Sequence, residues 1–134
     1  MRVLVVDDDP ASRQVLAAHL AGLAETVLCG SGPEAVDAAG AAIASGTPFD
    51  VVFLDIIMPH MDGHETLARL REVEDDAGVA PENRMRAVMV TSMDDETNTI
   101  TALFDGQVAA YLVKPPNRSE LLEKLVTLGL LSLD

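Results

Sequence analysis

Short apolar runs alternate along the chain with longer stretches in which apolar residues recur at helical spacing. The runs are typical of buried β-strands and lie at residues 3–6, 26–28, 51–54, 88–90 and 111–113. The longer stretches predict amphipathic helices at residues 10–23, 33–44, 63–73 and 96–104, and from residue 117 onwards. The run at 51–54 has no polar alternation, as expected of a central strand covered on both faces. The alternation predicts an α/β fold with a doubly wound, five-stranded parallel sheet.

Three of the predicted helices begin with residues that favour a helix N-terminus. The acidic segment 72–86 contains Gly78 and Pro81, and it is predicted to be a frayed helix end followed by a surface loop without an assigned function. No internal repeat or linker interrupts the sequence, so residues 1–134 are expected to form one domain. The predicted capping residues are Asp9 before Pro10, Asp62 before Glu65 and Asn117 before Glu120.

Polar residues stand directly after four of the five apolar runs. In an open parallel sheet the carboxyl ends of all strands lie at one edge, and ligands bind in the crevice there. We therefore expect several carboxylates, one hydroxyl and one ammonium to meet at a single site. The residues are Asp7, Asp8 and Asp9 after the first run, Asp55 after the third, Thr91 after the fourth and Lys114 after the fifth.

The adjacent carboxylates of Asp7 and Asp8 favour a site for a divalent cation. Neighbouring carboxylates repel each other unless a cation lies between them. Mg²⁺ takes oxygen ligands, keeps several waters and is well served by one or two carboxylates and a phosphate oxygen. A turn with a helix cap is the simpler alternative, but Asp9 alone is well placed for the cap, which leaves Asp7 and Asp8 unexplained.

Asp55 is a candidate nucleophile toward phosphorus, because a carboxylate can form an aspartyl phosphate. Phosphoryl transfer needs charge neutralisation more than proton transfer, and a divalent ion with Lys114 would supply it. A cis bond between Lys114 and Pro115 would turn the chain sharply and aim the ammonium inward. Thr91 could donate a hydrogen bond to a phosphoryl oxygen. Each residue also has an ordinary alternative: a turn-forming Asp55, a structural Thr91, a solvated Lys114 and a packed Tyr111.

Composition narrows the choice of partners and compartment. The formal net charge is −13, from 22 acidic and 9 basic residues, which disfavours direct binding to nucleic acid or to an anionic membrane surface. Cys29 is the single cysteine, so no intrachain disulfide can form, and this suits a reducing compartment. The sequence shows no secretory signal and no apolar segment near the ~20 residues of a membrane span, so we expect a cytoplasmic protein.

Four motifs, in order and at strand ends, resemble those of the receiver domains of two-component response regulators, in particular the single-domain chemotaxis regulators. The resemblance spans nearly the whole chain. It implies a flavodoxin-like (β/α)₅ fold with strand order 2-1-3-4-5 and a stand-alone receiver domain. The motifs are Val5-Val6-Asp7-Asp8, Leu54-Asp55-Ile56-Ile57-Met58-Pro59 with Met61-Asp62-Gly63 after one intervening residue, Val90-Thr91-Ser92, and Tyr111-Leu112-Val113-Lys114-Pro115.

The resemblance also implies the acceptor and the metal ligands. Asp55 would be the phosphoacceptor. Asp8, Asp55 and the backbone carbonyl of Ile57 would bind Mg²⁺ (or Mn²⁺) directly, and Asp7 would act on the ion through water. The phosphoryl group would come from a sensor histidine kinase or a histidine phosphotransfer protein. Such a domain assists its own phosphorylation and dephosphorylation but turns over no separate substrate.

The same resemblance implies a switch. Thr91 and Lys114 would sense the phosphoryl group, and Tyr111 would be the switch aromatic that moves inward when Thr91 is drawn toward the phosphate. The face formed by the fourth helix, the fifth strand and the fifth helix would then bind a downstream protein differently. The domain would serve as a final effector or as a phosphorelay intermediate.

Departures from the family pattern bear on partner choice and on phosphoryl lifetime. Pro116 stands where the family often has phenylalanine, which alters the path into the last helix. Ile57 and Met93 each lie two residues past a strand-end residue of the site, and neither side chain can orient an attacking water. We therefore hypothesise a long-lived phosphoryl group; equal decay rates in the wild type and Met93→Glu would contradict this.

Three other classes of protein compete with this interpretation. A haloacid-dehalogenase-like phosphatase needs a second Asp two residues after its nucleophile, and Ile57 stands there. Asp7 and Asp9 have the required spacing, but Asp55 then has no role. A non-phosphorylated pseudo-receiver would not need the acidic pair with Asp55. A flavodoxin-like cofactor binder would need a Gly-rich or hydroxyl-rich phosphate loop after the first strand, and the sequence has none.

Overall fold

The computed structural model describes residues 1–92 and 108–132, and five strands and four α-helices lie within these ranges. The strands are β1 (Arg2–Val6), β2 (Glu25–Cys29), β3 (Val51–Asp55), β4 (Arg86–Thr91) and β5 (Ala110–Val113). The helices are α1 (Pro10–Leu20), α2 (Gly32–Ala44), α3 (Gly63–Asp76) and α4 (Arg118–Thr127), with a short 3₁₀ helix at Pro81–Asn83. Helix α4 is the predicted fifth helix; the helix predicted at 96–104 lies outside the described residues.

The five strands form one parallel sheet in the order β2-β1-β3-β4-β5. Every residue of β3 is buried, which explains why this strand has no polar alternation. Strand β1 lies between β2 and β3, so the winding of the chain reverses at the carboxyl end of β1, where open α/β sheets bind their ligands. The predicted doubly wound α/β fold and its strand order are confirmed.

Helices cover both faces of the sheet, and each face has its own apolar core. Successive side chains of a strand point to opposite faces, so Phe53 and Leu54 of β3 belong to different cores. The core around Phe53 includes Leu16 of α1 and Leu121 of α4. The core around Leu54 is completed by α2 and α3 and includes Leu70. These two cores hold the strand ends in fixed positions at the sheet edge.

Side chains cap the helices where the sequence predicted caps. The capping oxygens accept backbone N–H groups that the first helical turn leaves without intrahelical partners. The predicted caps are therefore confirmed. The bonds run from the N–H of Ala11 to Asp9 (3.2 Å), of Glu65 to Asp62 (2.9 Å) and of Glu120 to Asn117 (2.8 Å).

Two helix ends differ from the prediction. Helix α1 ends at Leu20 rather than at residue 23, because the chain turns at Gly22, which has a φ of +80°. Residues other than glycine disfavour this left-handed conformation, because their Cβ atom clashes with the backbone. Helix α3 continues to Asp76, beyond the predicted end at residue 73.

The segment 72–86 is only in part the frayed helix end and surface loop that its acidic composition predicted. Glu74 is 2% exposed, and its carboxylate accepts hydrogen bonds from Arg71 Nη1 at 2.7 Å and from the backbone N–H of Met85 at 2.8 Å. These contacts tie the end of α3 to the residue before β4. The prediction was wrong here because a paired, hydrogen-bonded carboxylate can be buried. Arg71 is a neighbour of Glu74 on the same helix, but the approach of the Met85 N–H is set by the fold rather than by local sequence.

Candidate metal centre

Three carboxylates meet at the carboxyl edge of the sheet. Asp7 and Asp8 follow β1, and Asp55 ends the neighbouring strand β3, in which Leu54 pairs with Val6. One oxygen of each carboxylate lies within 4.8 Å of the others. Asp7 and Asp55 are buried, whereas Asp8 is exposed. The structure thus brings together three of the four carboxylates that the strand ends singled out, and the fourth, Asp9, caps α1 instead.

Lys114 joins this cluster from the far strand. Its Nζ lies 2.8 Å from Asp7 Oδ2 and 3.2 Å from Asp55 Oδ2. The backbone N–H of Lys114 donates to the carbonyl oxygen of Thr91 at 2.7 Å, which holds the loop after β5 against the end of β4. The peptide bond between Lys114 and Pro115 is cis. The ammonium therefore bridges two buried carboxylates and is not a solvated surface group.

The electrostatics of the cluster show an excess of negative charge. Burial raises the pKa of Asp55 to about 7; the negative charge of Asp7 adds to this rise, and Lys114 opposes it. Burial alone would lower the pKa of Lys114, but its bonds to Asp7 and Asp55 outweigh burial and raise the pKa above its usual value. Three carboxylates and one ammonium leave a formal charge of −2. A divalent cation would neutralise that charge.

The donor atoms of the cluster fit Mg²⁺. Carboxylate oxygens are the hard ligands that this ion prefers, and it commonly binds through one or two of them while it keeps several waters. Within the described part of the chain, the exposed carboxylate of Asp8 makes no hydrogen bond or ion pair, so its oxygens can ligate an ion. The cluster combines a buried, partly neutralised side at Asp7 and Asp55 with an exposed side at Asp8, where a metal ion can approach.

Gly63 shapes the backbone next to Asp55. Its N–H donates to the carbonyl oxygen of Ile56 at 2.8 Å. A Cβ at Gly63 would lie 2.4 Å from the backbone oxygen of Asp55, so only glycine lets α3 begin this close to the end of β3. The sequence offered a signal, since a glycine directly after the capping Asp62 is a poor choice for helix stability alone.

Arg13 is a second residue of the site that had no predicted role. It lies on α1, and its Nη1 donates to the backbone oxygen of Asp7 at 2.7 Å. The contact joins a helix side chain to the backbone at the end of a strand. An arginine on an amphipathic helix is ordinarily a solvated residue, so no local sequence pattern could have revealed this contact.

The two predicted switch residues lie on neighbouring strands. Thr91 is buried at the end of β4, one position past Val90, which pairs with Asp55. The hydroxyl of Thr91 donates to the backbone oxygen of Ser92 at 3.0 Å. Tyr111 on β5 is 37% exposed, so it is not a fully packed core aromatic. The roles of both residues stay predictions.

Of the three residues that depart from the family pattern, Ile57 and Pro116 lie within the described residues. Pro116 is buried, and its carbonyl oxygen lies 3.1 Å from Nε2 of His19 on α1. The side chain of Ile57 is 57% exposed. Met93 lies outside the described residues, so the hypothesis of a long-lived phosphoryl group stays a prediction.

The sheet order and the acidic cluster with its bridging lysine define a doubly wound α/β domain with a candidate divalent-metal site. The family model described as "Response regulator receiver domain" matches residues 3–126. The chain belongs to this family, whose members are signalling domains of two-component systems.

Curated relatives are identical to this chain at about a third of the aligned positions. The transcriptional regulatory protein AruR of Pseudomonas aeruginosa is 37% identical over 124 residues, which cover 92% of this chain and 47% of AruR. The response regulator MprA of Mycobacterium avium is 36% identical over 126 residues, which cover 93% of this chain and 49% of MprA. The chain thus spans about half the length of these curated relatives.

Solved structures have the same fold over nearly the full chain. The receiver domain of the histidine kinase CKI1 from Arabidopsis thaliana, complexed with Mg²⁺ and BeF₃⁻, has a TM-score of 0.75 at 31% identity and covers 93% of this chain and 89% of that one. The Vibrio cholerae chemotaxis protein CheY4 has a TM-score of 0.73 at 28% identity, with coverage of 94% and 96%. Among the described residues, no helix has the length and apolarity to cross a membrane.

Proposed function

We propose that Asp55 accepts a phosphoryl group from a phosphohistidine of a sensor histidine kinase or a histidine phosphotransfer protein, with Mg²⁺ (or Mn²⁺) bound beside it. The observation that carries this proposal is the bridge from Lys114 to Asp7 and Asp55 within a cluster of three carboxylates. A carboxylate oxygen of Asp55 attacks phosphorus and forms a P–O bond. The P–N bond to the donor imidazole breaks, and the ring nitrogen leaves with the electron pair.

The residues of the cluster divide the work of this transfer. Asp8, Asp55 and the backbone carbonyl of Ile57 would hold the metal, and Asp7 would act through water. The bound ion would neutralise charge on the phosphoryl oxygens. Lys114 supplies a further positive charge and is already held 2.8 Å from Asp7 and 3.2 Å from Asp55. Burial raises the pKa of Asp55 to about 7 even with Lys114 beside it, so the charge of the bound ion would help to keep this carboxylate ionised and nucleophilic.

The phosphorylated state would be read out through Thr91 and Tyr111. The Thr91 hydroxyl would be drawn to a phosphoryl oxygen, and Tyr111 would move inward. The face formed by the helix predicted at 96–104, β5 and α4 would then change its affinity for a downstream protein. Tyr111 and Val113 of β5 are 37% and 41% exposed, which gives a partner apolar surface to cover.

The proposed activity is signalling rather than turnover of a separate substrate. The domain assists its own phosphorylation and dephosphorylation, in the cytoplasm, and its partners are proteins. The net charge of −13 disfavours direct contact of this domain with nucleic acid or an anionic membrane. Because the chain spans about half of AruR and MprA, the proposal concerns the receiver domain alone.

A phosphatase with Asp7 as nucleophile and Asp9 as acid is less well supported. The Ser12 hydroxyl donates to Asp9 Oδ2 at 3.0 Å, and the N–H of Ala11 donates to Oδ1. These hydrogen bonds, that from Ser12 above all, hold the pKa of Asp9 below its usual value. A carboxyl group with a lowered pKa is ionised at neutral pH and has no proton to give a leaving group.

Intact-mass spectrometry with Mg²⁺ and acetyl phosphate tests the proposed function. We expect the wild type to gain the mass of one phosphoryl group and Asp55→Asn to gain none, since the amide is not a nucleophile of this kind. Chelation of the metal with EDTA should prevent the gain in the wild type. An adduct on both proteins, or on neither with any donor, would defeat the assignment of Asp55.

A further inference from the structure

We propose that Arg13 is a positioning residue for the metal centre. Arg13 fixes the peptide unit between Asp7 and Asp8, and this peptide unit in turn sets the direction of the Asp8 carboxylate. This inference rests on the proposed function, because it takes Asp8 as a ligand of the divalent cation. Arg13 touches neither the cation nor the phosphoryl group. Its effect would pass through the backbone.

The contact between Arg13 and Asp7 lies just past the end of β1, where the backbone no longer pairs with both neighbouring strands. The N–H of Asp7 still donates to the carbonyl oxygen of Cys29 at 3.1 Å. The carbonyl of Asp7 lies past Val6, the last residue of β1 that pairs with β2 and β3. A buried carbonyl without a partner is costly, and Arg13 Nη1 supplies the partner at 2.7 Å. The bond is charge-assisted, which makes it stronger than a bond between neutral groups.

A fixed carbonyl at Asp7 orients the next residue. Because the peptide unit is planar, the direction of this carbonyl sets the plane from which the Asp8 side chain projects. The N–H of Asp9 donates to Asp7 Oδ1 at 2.9 Å, so the backbone is tied on both sides of Asp8. The Asp8 carboxylate itself makes no bond within the described residues. Its backbone is held in place, and its oxygens are left for an ion, as a pre-organised ligand requires.

Gly30 makes room for the guanidinium of Arg13. A Cβ at Gly30 would lie 3.1 Å from Arg13 Nη1 and 3.8 Å from Glu34 Oε2. The N–H of Gly30 donates to the same Glu34 oxygen at 2.9 Å. The guanidinium therefore lies between the turn after β1 and the turn after β2, with the opposite charge of Glu34 nearby. Packing as well as hydrogen bonding fixes its position.

Charge and position predict opposite effects when Arg13 is replaced. As a cation near the cluster, Arg13 repels a divalent ion, so removal of its charge alone would tighten Mg²⁺ binding. As an anchor for the Asp7 carbonyl, it favours Mg²⁺ binding, and its removal would weaken that binding. The sign of the change in affinity thus separates the two roles.

The test is the Mg²⁺ dissociation constant, measured by titration calorimetry on folded variants. We expect Arg13→Met, which keeps an unbranched apolar side chain but removes the guanidinium, to weaken binding by about 10-fold, the lower end of the range for residues that orient metal ligands. Arg13→Lys should recover part of the loss, because an ammonium can still donate one hydrogen bond. Gly30→Ala should weaken binding less than Arg13→Met, because the new Cβ displaces Nη1 only slightly. Gln14→Ala, exposed on the same helix, is the matched control and should bind as the wild type does.

Unchanged or tighter Mg²⁺ binding by Arg13→Met overturns the inference, even if its melting temperature without metal falls, because that is the pattern of a merely structural contact. If Arg13→Met does not fold, Arg13→Lys and Gly30→Ala decide the matter by the same measurement. A wild type that binds Mg²⁺ but gains no phosphoryl mass defeats the proposed function and leaves Arg13 to be judged by these constants. A wild type that binds no Mg²⁺ overturns both.

Discussion

Buried carboxylates lie at opposite edges of the sheet, and their charges balance differently. At the amino end of β4, Glu74 forms an ion pair with Arg71 at 2.7 Å and also accepts the N–H of Met85. At the carboxyl edge, the ammonium of Lys114 contacts Asp7 and Asp55, Asp8 lies beside them, and these four side chains carry a formal charge of −2. The first cluster is balanced by its own ion pair, whereas the second keeps an excess of negative charge that a divalent cation would neutralise.

Burial alone does not distinguish the two clusters. Glu74 is 2% exposed and Asp55 is 5% exposed, so both carboxylates have lost nearly all contact with water. The difference lies in how many opposite charges and N–H donors each carboxylate finds. A balanced pair holds secondary-structure elements together, whereas an unbalanced cluster at a strand edge favours binding of an ion.

The largest effect on stability is expected at the balanced cluster. Arg71→Met leaves Glu74 buried without its ion-pair partner and should lower the free energy of unfolding by about 3–5 kcal/mol, measured by urea denaturation. The matched control is Arg69→Met, whose partner Glu72, 3.2 Å away, is exposed with it. That variant should lose less than about 1 kcal/mol. Equal losses in the two variants would show that the Glu74 cluster is not the structural tie described here.

The next largest effect concerns Mg²⁺. An ion that binds only the folded protein should raise the free energy of unfolding by about 2.7 kcal/mol when its concentration is 100 times the dissociation constant. The melting temperature should rise accordingly in the wild type and by a similar increment in Arg71→Met, whose balanced cluster takes no part. Asp8→Ala should lose the increment, and its persistence there would rule out Asp8 as a ligand.

The third effect is the pH dependence of the unbalanced cluster without metal. The pKa of Asp55 is 3.8 as an ordinary carboxyl and about 7 in the folded protein, so the folded state binds this proton more tightly. Stability from this group is therefore lost as pH rises from about 4 to about 7. Asp55→Asn has no such loss and should be more stable than the wild type near neutral pH, by at most about 4 kcal/mol, with no difference near pH 4.

Thermal unfolding in EDTA across this pH range measures the effect. Glu74→Gln provides the contrast, because it weakens a satisfied pair and should lower stability throughout the range. A less stable Asp55→Asn near neutral pH would mean that the carboxylates at the sheet edge are already balanced.

The sequence predicted that the candidate site lies at the carboxyl edge of the sheet, because parallel strands place their last residues side by side. The positions of Asp7, Asp55 and Lys114 followed from strand periodicity alone, and the structure brings all three within ion-pair distance. Their chemical roles were predicted from carboxylate and ammonium chemistry together with the family resemblance, and they stay predictions until phosphorylation is measured. Boundaries were less accurate, since the end of α1 depends on the conformation of Gly22 more than on apolar spacing.

Contacts between distant elements could not be predicted in the same way. The acidic composition around Glu74 indicated a solvated segment, because the sequence shows Arg71 at helical spacing but not that the N–H of Met85 would approach this carboxylate and bury it. Arg13 likewise looked like an ordinary helix residue, and its bond to Asp7 depends on where α1 packs against the sheet. In both cases the deciding information was the approach of one element to another.

The bond from Gly63 back to Ile56 makes residues 57–62 a loop that is closed at both ends beside Asp55. Ile57 lies in this loop with 57% of its surface exposed, and His60 adopts a φ of +69° at its far side. If Asp55 is the phosphoacceptor, substitutions at these two positions would reshape the surface that an incoming donor meets, while Asp55 keeps its place at the end of β3. Under that proposal, donor preference would be open to change without loss of the transfer chemistry.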